Sequence, residues 1–318
     1  TQIRRRKKKV NKKRGARMDR RTFLKMMGAA VAGTAGGSLW SPRLSGAREY
    51  NLGGNEVYGI LVDTTRCIGC RRCEKACAEA NGLPIPDIST SANEAVFKKM
   101  RSTTESQYTV TNLYNTEKGK FFVVRRCMHC NQPGCVAACL VKAMRKRPLG
   151  HVTWDLNCIG CRLCMISCPF DVPKFEYGKA IPKIQKCNLC YNRFQQGVLP
   201  ACVEACPTST LLFGTRRTIL DEGRRRIAEN PDKYVQHIYG EYEVGGTSHL
   251  FLSAVPFEQI GFQTNLGTTP YPEYSTGFLY AVPFIFVLWP AVMLGMNRAT
   301  KKKAEEKHEE KHEEKGKH

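Results

Sequence analysis

The sequence predicts an α+β fold: two interleaved cysteine-rich modules followed by one C-terminal transmembrane helix. Three observations lead there. Sixteen cysteines among 318 residues fall into four groups of recurrent spacing. Short runs rich in β-branched and aromatic residues lead into or follow those groups. Near the C-terminus, residues 275–297 carry no charge at all.

The cysteine groups come first. They are Cys67-x2-Cys70-x2-Cys73-x3-Cys77, Cys127-x2-Cys130-x4-Cys135-x3-Cys139, Cys158-x2-Cys161-x2-Cys164-x3-Cys168 and Cys187-x2-Cys190-x11-Cys202-x3-Cys206. No cysteine is left over. Two-residue gaps turn the backbone back on itself, so the thiolates of such a loop surround one small object. Gly69 and Gly160 stand where the backbone must come close or adopt positive φ. Amides in these loops face inward and favour negative charge. The fourth cysteine, three residues on and expected to start a helix, points to a second centre. That is the arrangement of bacterial two-cluster ferredoxins. Pro169 and Pro207 then steer the chain away.

Structural zinc prefers two CxxC pairs joined by a longer loop, and three ligands within seven residues fit it poorly. Disulfides inside such short loops would be strained. Iron–sulfur clusters are therefore expected, with all sixteen cysteines as iron ligands. Crossover logic pairs the second group with the third and the first with the fourth, placing a module over residues 127–168 inside one over 67–206. It puts Cys67, Cys70, Cys73 and Cys206 on one cluster, and Cys77, Cys187, Cys190 and Cys202 on the next. Cys127, Cys130, Cys135 and Cys168 take the third, and Cys139, Cys158, Cys161 and Cys164 the fourth. Sequential pairing, first with second and third with fourth, stays open at this point.

Strands are expected at KFFVVRRC, at residues 151–155 and at STLLFGT. The stretch 81–120 has no motif and reads as surface loops. Trp154, Tyr239 and Phe251 read as packing residues. His129, between two ligands of a complete set, reads as auxiliary. Arg71, Arg72, Arg162 and Lys186 read as solvated rather than as tuning charges. Lys142, Arg145, Lys146 and Arg147 form a basic turn able to dock an acidic partner.

The uncharged run at 275–297 comes next. About 21 helical residues span roughly 31 Å at 1.5 Å each, against a hydrocarbon core of about 30 Å. Tyr271, Tyr274 and Tyr280 suit one interface. Arg298, Lys301, Lys302 and Lys303 mark the other as cytoplasmic, which leaves the body periplasmic. Residues 263–274 form a linker, and the tail at 298–318 is a solvated helix with Glu/Lys pairs.

The net charge of +22 is uneven. Residues 1–47 hold fourteen Lys/Arg against one acidic residue, a net of +13, leaving +9 elsewhere. No basic stripe interleaved with aromatics runs through the body, so no nucleic-acid partner is expected. Arg20-Arg21 followed by Phe23, Leu24 and Lys25, a small uncharged run, and Ser45-Gly46-Ala47 resemble a twin-arginine export signal over residues 1–47. Such systems carry folded proteins, so clusters can be installed in a reducing cytoplasm first.

DTTRCIGCRRCEKAC, CMHCNQPGCVAAC, CIGCRLCMISCPFDVPKFEY, IQKCNLC, LPACVEACP and HIYGEYEVGGTSHLFLSAVPFEQ together resemble the four-cluster ferredoxin-type subunits of molybdopterin oxidoreductases, formate dehydrogenases and hydrogenases. The likeness is to the membrane-anchored iron–sulfur subunits of hydrogenase-2-type enzymes and of the high-molecular-weight cytochrome (Hmc) complex. Ala78 and Leu140 stand where many relatives carry proline, which is not a ligand. The resemblance implies four 4Fe–4S clusters and no catalytic residue. It implies an electron relay on the cytoplasmic (inner) membrane between two partners. One is a periplasmic hydrogenase or multihaem cytochrome c; the other is a polytopic quinone-interacting membrane subunit. The alternative it implies is the beta subunit of a formate dehydrogenase or molybdopterin oxidoreductase.

Overall fold

The computed structural model describes residues 56–180 and 182–315; the expected export signal lies outside them. In chain order, β1 (Tyr58–Asp63) runs into the first cysteine loop and α1 (Arg72–Asn81). Then come α2 (Thr90–Val96) and the strands β2 (Val110–Thr116) and β3 (Gly119–Arg125). The second loop leads to α3 (Gly134–Ala137), β4 (Met144–Lys146) and β5 (Val152–Trp154), and the third to α4 (Leu163–Ile166). Next are β6 (Lys174–Phe175), β7 (Ile184–Gln185), α5 (Tyr191–Gln195), α6 (Ala201–Glu204) and β8 (Leu211–Thr215). The chain closes with α7 (Arg216–Glu229), β9 (His249–Leu252) and α8 (Tyr271–Lys315).

β1 is the centre of a three-stranded sheet ordered β8-β1-β9. β8 lies antiparallel to it, with Ile60 opposite Phe213, and β9 parallel, with Leu61 opposite Leu250. YGILVD and HLFL are almost continuously apolar because both faces of the sheet are covered. Alternation divides the two faces. Ile60, Val62, Leu211 and Phe251 pack with Val123, Met128, Leu189 and Tyr239 toward the cysteine loops. Leu61, Leu250 and Leu252 meet Ile219, Leu220 and Ile227 of α7. Those α7 residues recur on one helical face, and the Thr215 hydroxyl caps the helix by accepting from the Thr218 amide.

The strands expected at KFFVVRRC, 151–155 and STLLFGT appear as β3, β5 and β8. Tyr239 and Phe251 pack in the core as expected. The surface loops expected over 81–120 are corrected: this stretch holds α2 and β2, and Thr109, Val110, Thr111 and Asn112 are buried. The stretch carries no strand signal because most of its buried residues, Thr109, Thr111 and Asn112, are polar. Its polarity is satisfied inside: Asn112 Oδ1 accepts from the Arg101 amide at 3.0 Å, and its Nδ2 donates to Arg101 O at 2.7 Å.

Helix pairs bring distant cysteine groups together. α1 packs on α6, and α3 on α4. β4 and β5 pair antiparallel, as do β6 and β7. At the C-terminal end α8 starts at Tyr271, inside the expected linker, and continues through the charged tail. Its stretch Tyr271–Lys301 is long and apolar enough to cross a membrane.

Candidate metal centres

The four loops share one turn. The residue before the second cysteine has positive φ in each: Gly69 at 70°, His129 at 49°, Gly160 at 71° and Leu189 at 55°. This left-handed residue folds the chain back and aims its amide at the first sulfur. Gly160 N donates to Cys158 Sγ and Leu189 N to Cys187 Sγ, both at 3.4 Å. The Gly69 amide does the same for Cys67. Successive amides turned inward make an anion-binding concavity. A Cβ on Gly69 would lie 2.4 Å from the Phe122 ring, so only glycine fits there. At Gly160 the nearest neighbour, Phe175, would be 3.5 Å away, and φ alone makes the demand.

The helix after each loop follows one rule. Cys73, Cys135, Cys164 and Cys202 are each the second residue of a helix. The expectation that the fourth cysteine starts the helix is corrected. Cys77 lies within α1, while Cys139, Cys168 and Cys206 each follow a four-residue helix by two positions. A helix this short exposes its last carbonyls and redirects the chain at once, which throws the fourth thiol away from its own loop.

Those fourth thiols meet other groups. Cys67, Cys70, Cys73 and Cys206 line one cavity, with Thr111, Thr208 and Thr210 around them. Cys77 is pushed up to about 12 by burial and then by the neighbouring thiolates Cys202 and Cys190. Cys187 is pushed up by burial and by Cys77. Cys130 is raised by burial, then by Cys168, Cys127 and Cys135. Cys164 rises to about 11 through burial, then Cys158, Cys139 and Cys161. The structure thus gathers four foursomes, and they adjoin in sequence. Cys73 neighbours Cys202. Cys77, Cys127 and Cys187 share a core with Cys168. Cys135 and Cys164 share another with Cys139 and Cys158.

None of the sixteen thiols is in a disulfide. Among the described residues no three His, Cys, Asp or Glu side chains converge as a single metal ion would require. Donor chemistry fits an anionic sulfur-rich group. Arg126 Nη1 donates to Cys202 Sγ at 2.8 Å, Thr109 Oγ1 to Cys77 Sγ at 3.6 Å, and Met144 N to Cys139 Sγ at 3.4 Å. At Cys206 burial raises the thiol, but the amides of Leu211, Thr210 and Thr208 and the Thr208 hydroxyl outweigh it, and its pKa falls. Arg126 Nε and Nη2 are buried beside these thiols without a protein partner, and His129 Nε2 is buried without one as well. Such groups normally find an acceptor, and cluster sulfurs are acceptors of that kind.

Several charges sit elsewhere than expected. Arg72 and Arg162 are exposed, but Arg71 and Lys186 are buried, which corrects their reading as solvated. Arg71 is held by Glu74 at 3.0 Å, which also takes Arg101 at 2.6 Å. Lys186 Nζ donates to the carbonyls of Val152 and Cys187. In the basic turn Lys142 and Arg145 are exposed, while the other two cations are partly covered. Arg145 pairs with Asp155 at 3.0 Å, and Arg147 lies 5.3 Å over the Tyr191 ring. Lys146 Nζ turns inward to Cys130 O and Gly150 O, both at 2.8 Å, and burial brings its pKa down to about 8. His129 is fully buried, and its Nδ1 accepts from Val152 N at 2.9 Å. Burial, then Lys186 and His249, hold it well below 6.5 and therefore neutral. Arg126, His151 and His249 were missed; no local motif marks them, and although Arg126 adjoins Cys127 in the chain, only packing brings it to Cys202 and the two histidines to the loops.

Models of two 4Fe–4S dicluster domains match residues 59–140 and 119–216. The chain is 43% identical over 290 residues to a protein of Nitratidesulfovibrio vulgaris (strain Hildenborough), across 90% of this chain and 78% of that one. It is 33% identical over 295 residues to the hydrogenase-2 operon protein HybA of Escherichia coli O157:H7, across 82% and 86%. With the iron–sulfur subunit of the nitrate-inducible formate dehydrogenase of E. coli K12 it shares 34% identity over 202 residues, across 60% and 66%.

Proposed function

This chain belongs to the ferredoxin-type 4Fe–4S subunits that transfer electrons within oxidoreductase complexes, and we propose that it relays them through four clusters between a periplasmic redox partner and a quinone-interacting membrane subunit. Each cluster, when bound, takes up and passes on one electron. The chain's own part is to hold, space and electrostatically surround the clusters; no side chain acts as acid, base or nucleophile.

The observation that carries this reading is the row of adjoining foursomes. On it, Cys67, Cys70, Cys73 and Cys206 hold the first cluster, and Cys77, Cys187, Cys190 and Cys202 the second. Cys127, Cys130, Cys135 and Cys168 hold the third, and Cys139, Cys158, Cys161 and Cys164 the fourth. The module over residues 127–168 is then interleaved within that over 67–206. The β1–β8 pairing supports this, since those strands flank the first and fourth groups. The apolar stretch of α8 serves as a single membrane anchor. The lysines after it favour a cytoplasmic tail and a periplasmic body, delivered by the twin-arginine signal.

A hydrogenase or multihaem cytochrome c suits the periplasmic side. The match to HybA extends over 82% of the chain, whereas that to the formate dehydrogenase subunit stops at 60%, and this favours the first reading over a formate dehydrogenase assembly. Anaerobic purification in detergent with iron and sulfide analysis tests it. About sixteen iron atoms per chain, with a nickel–iron or multihaem polypeptide co-purifying, is the expected result. Far less iron would overturn the four-cluster reading.

A further inference from the structure

We propose that the cations enclosed around the two inner foursomes, Arg126 foremost, raise the potentials of the clusters there above those at both ends, so that the middle of the relay is where an electron rests. This rests on the four-cluster reading above.

The charges are distributed unevenly along the row. Arg126 is 3% exposed, donates to Cys202 Sγ, and leaves Nε and Nη2 without a protein partner. Cys187, of the same foursome, and Cys73, of the first, are its next thiol neighbours. Lys186, 5% exposed, lies beside Cys135 and Cys168 of the third foursome, and Lys146 beside Cys130. Among the described residues the bonds these three donate reach carbonyls and one thiol, never a carboxylate. Carbonyls satisfy the N–H groups but leave each net charge uncompensated.

The end foursomes are different. Arg71, equally enclosed beside the first loop, shares Glu74 with Arg101, so the one positive charge left there belongs to a pair that is ion-bonded and, at Arg101, reached by water. At the fourth foursome Arg162 is exposed over Phe175 and Tyr177, Arg145 is paired with Asp155, and Cys161 itself is exposed, so water screens the charge. Reducing a cluster adds one negative charge. A cation shielded from water favours that state more than a solvated or paired one, and an N–H donated to sulfur acts in the same direction.

The test is an EPR-monitored redox titration of the full chain in detergent, with iron counted first. In the unsubstituted protein the first two signals to appear on reduction should be those that the substitutions move. Arg126→Gln should shift one signal to lower potential and leave its iron content intact. Arg126→Lys, which keeps the charge, should restore most of that shift. Lys186→Gln should lower a different signal. If Arg126→Gln loses iron, Arg126→Lys and Lys186→Gln decide by the same criterion. Full iron content with no midpoint moved, or a first-reduced signal insensitive to all three substitutions, overturns the proposal. Low iron in the unsubstituted chain overturns instead the reading on which it rests.

Discussion

Residues 67–73, CIGCRRC, and 158–164, CIGCRLC, differ at one position in seven. Their backbones agree almost to the degree: φ is 70° and 71° at the glycines, and 58° and 61° at Arg71 and Arg162, each of which caps the following helix. Their surroundings have little in common. The first loop lies under the β2–β3 hairpin, with Phe122 against Gly69 and Arg71 sealed onto Glu74. In the third loop Cys161 and Arg162 face outward, beside Phe175 and Tyr177. Identical turns therefore sit in unlike dielectric environments. The turn comes from residues that touch in sequence, and the environment from residues that do not.

Glu74→Ala should break this contrast most severely. It strands Arg71, and Arg101 with it, and removing one partner of a buried pair costs about 3–5 kcal/mol. Lowered melting temperature and iron lost from the first loop are the expected readings; a melt unchanged within 1 °C would show that water replaces the carboxylate. Next come the two glycines, which separate turn from surroundings. Gly160→Ala should cost about 1–2 kcal/mol, the price of a left-handed residue with a Cβ. Gly69→Ala adds the overlap with Phe122, roughly another 1–3 kcal/mol. Denaturant unfolding of the two variants side by side measures the difference, and equal losses would mean that the hairpin yields freely. The smallest effect belongs to Arg162→Ala. An exposed cation over two rings contributes about 0.5–1 kcal/mol, so the melt should barely move while Arg71→Ala unfolds far more of the molecule.

Legibility follows the same division. The loops, the positive φ at Gly69 and Gly160, three of the strands and the apolar C-terminal helix were all readable, because each depends on near neighbours in the chain. β2 was not. The buried part of that strand, Val110, Thr111 and Asn112, has no hydrophobic signature, and the contacts that satisfy it come from Arg101 and from Glu74, which accepts from the Thr111 amide. Lys186, expected in solvent, and Lys146, expected in a docking turn, face inward for a related reason. A lysine beside a cysteine loop looks solvated until the carbonyls of Val152, or of Cys130 and Gly150, are seen to enclose it.

Spacing alone determined how each loop turns and that its thiols face a common interior, since two-residue gaps leave the backbone few other conformations. Folding in three dimensions decided the company each fourth thiol keeps, through α1 on α6 and α3 on α4, and decided which cations are largely shielded from water. Burial and neighbouring charge act through space, and residues as far apart as Arg126 and Cys202 meet only once the chain has packed.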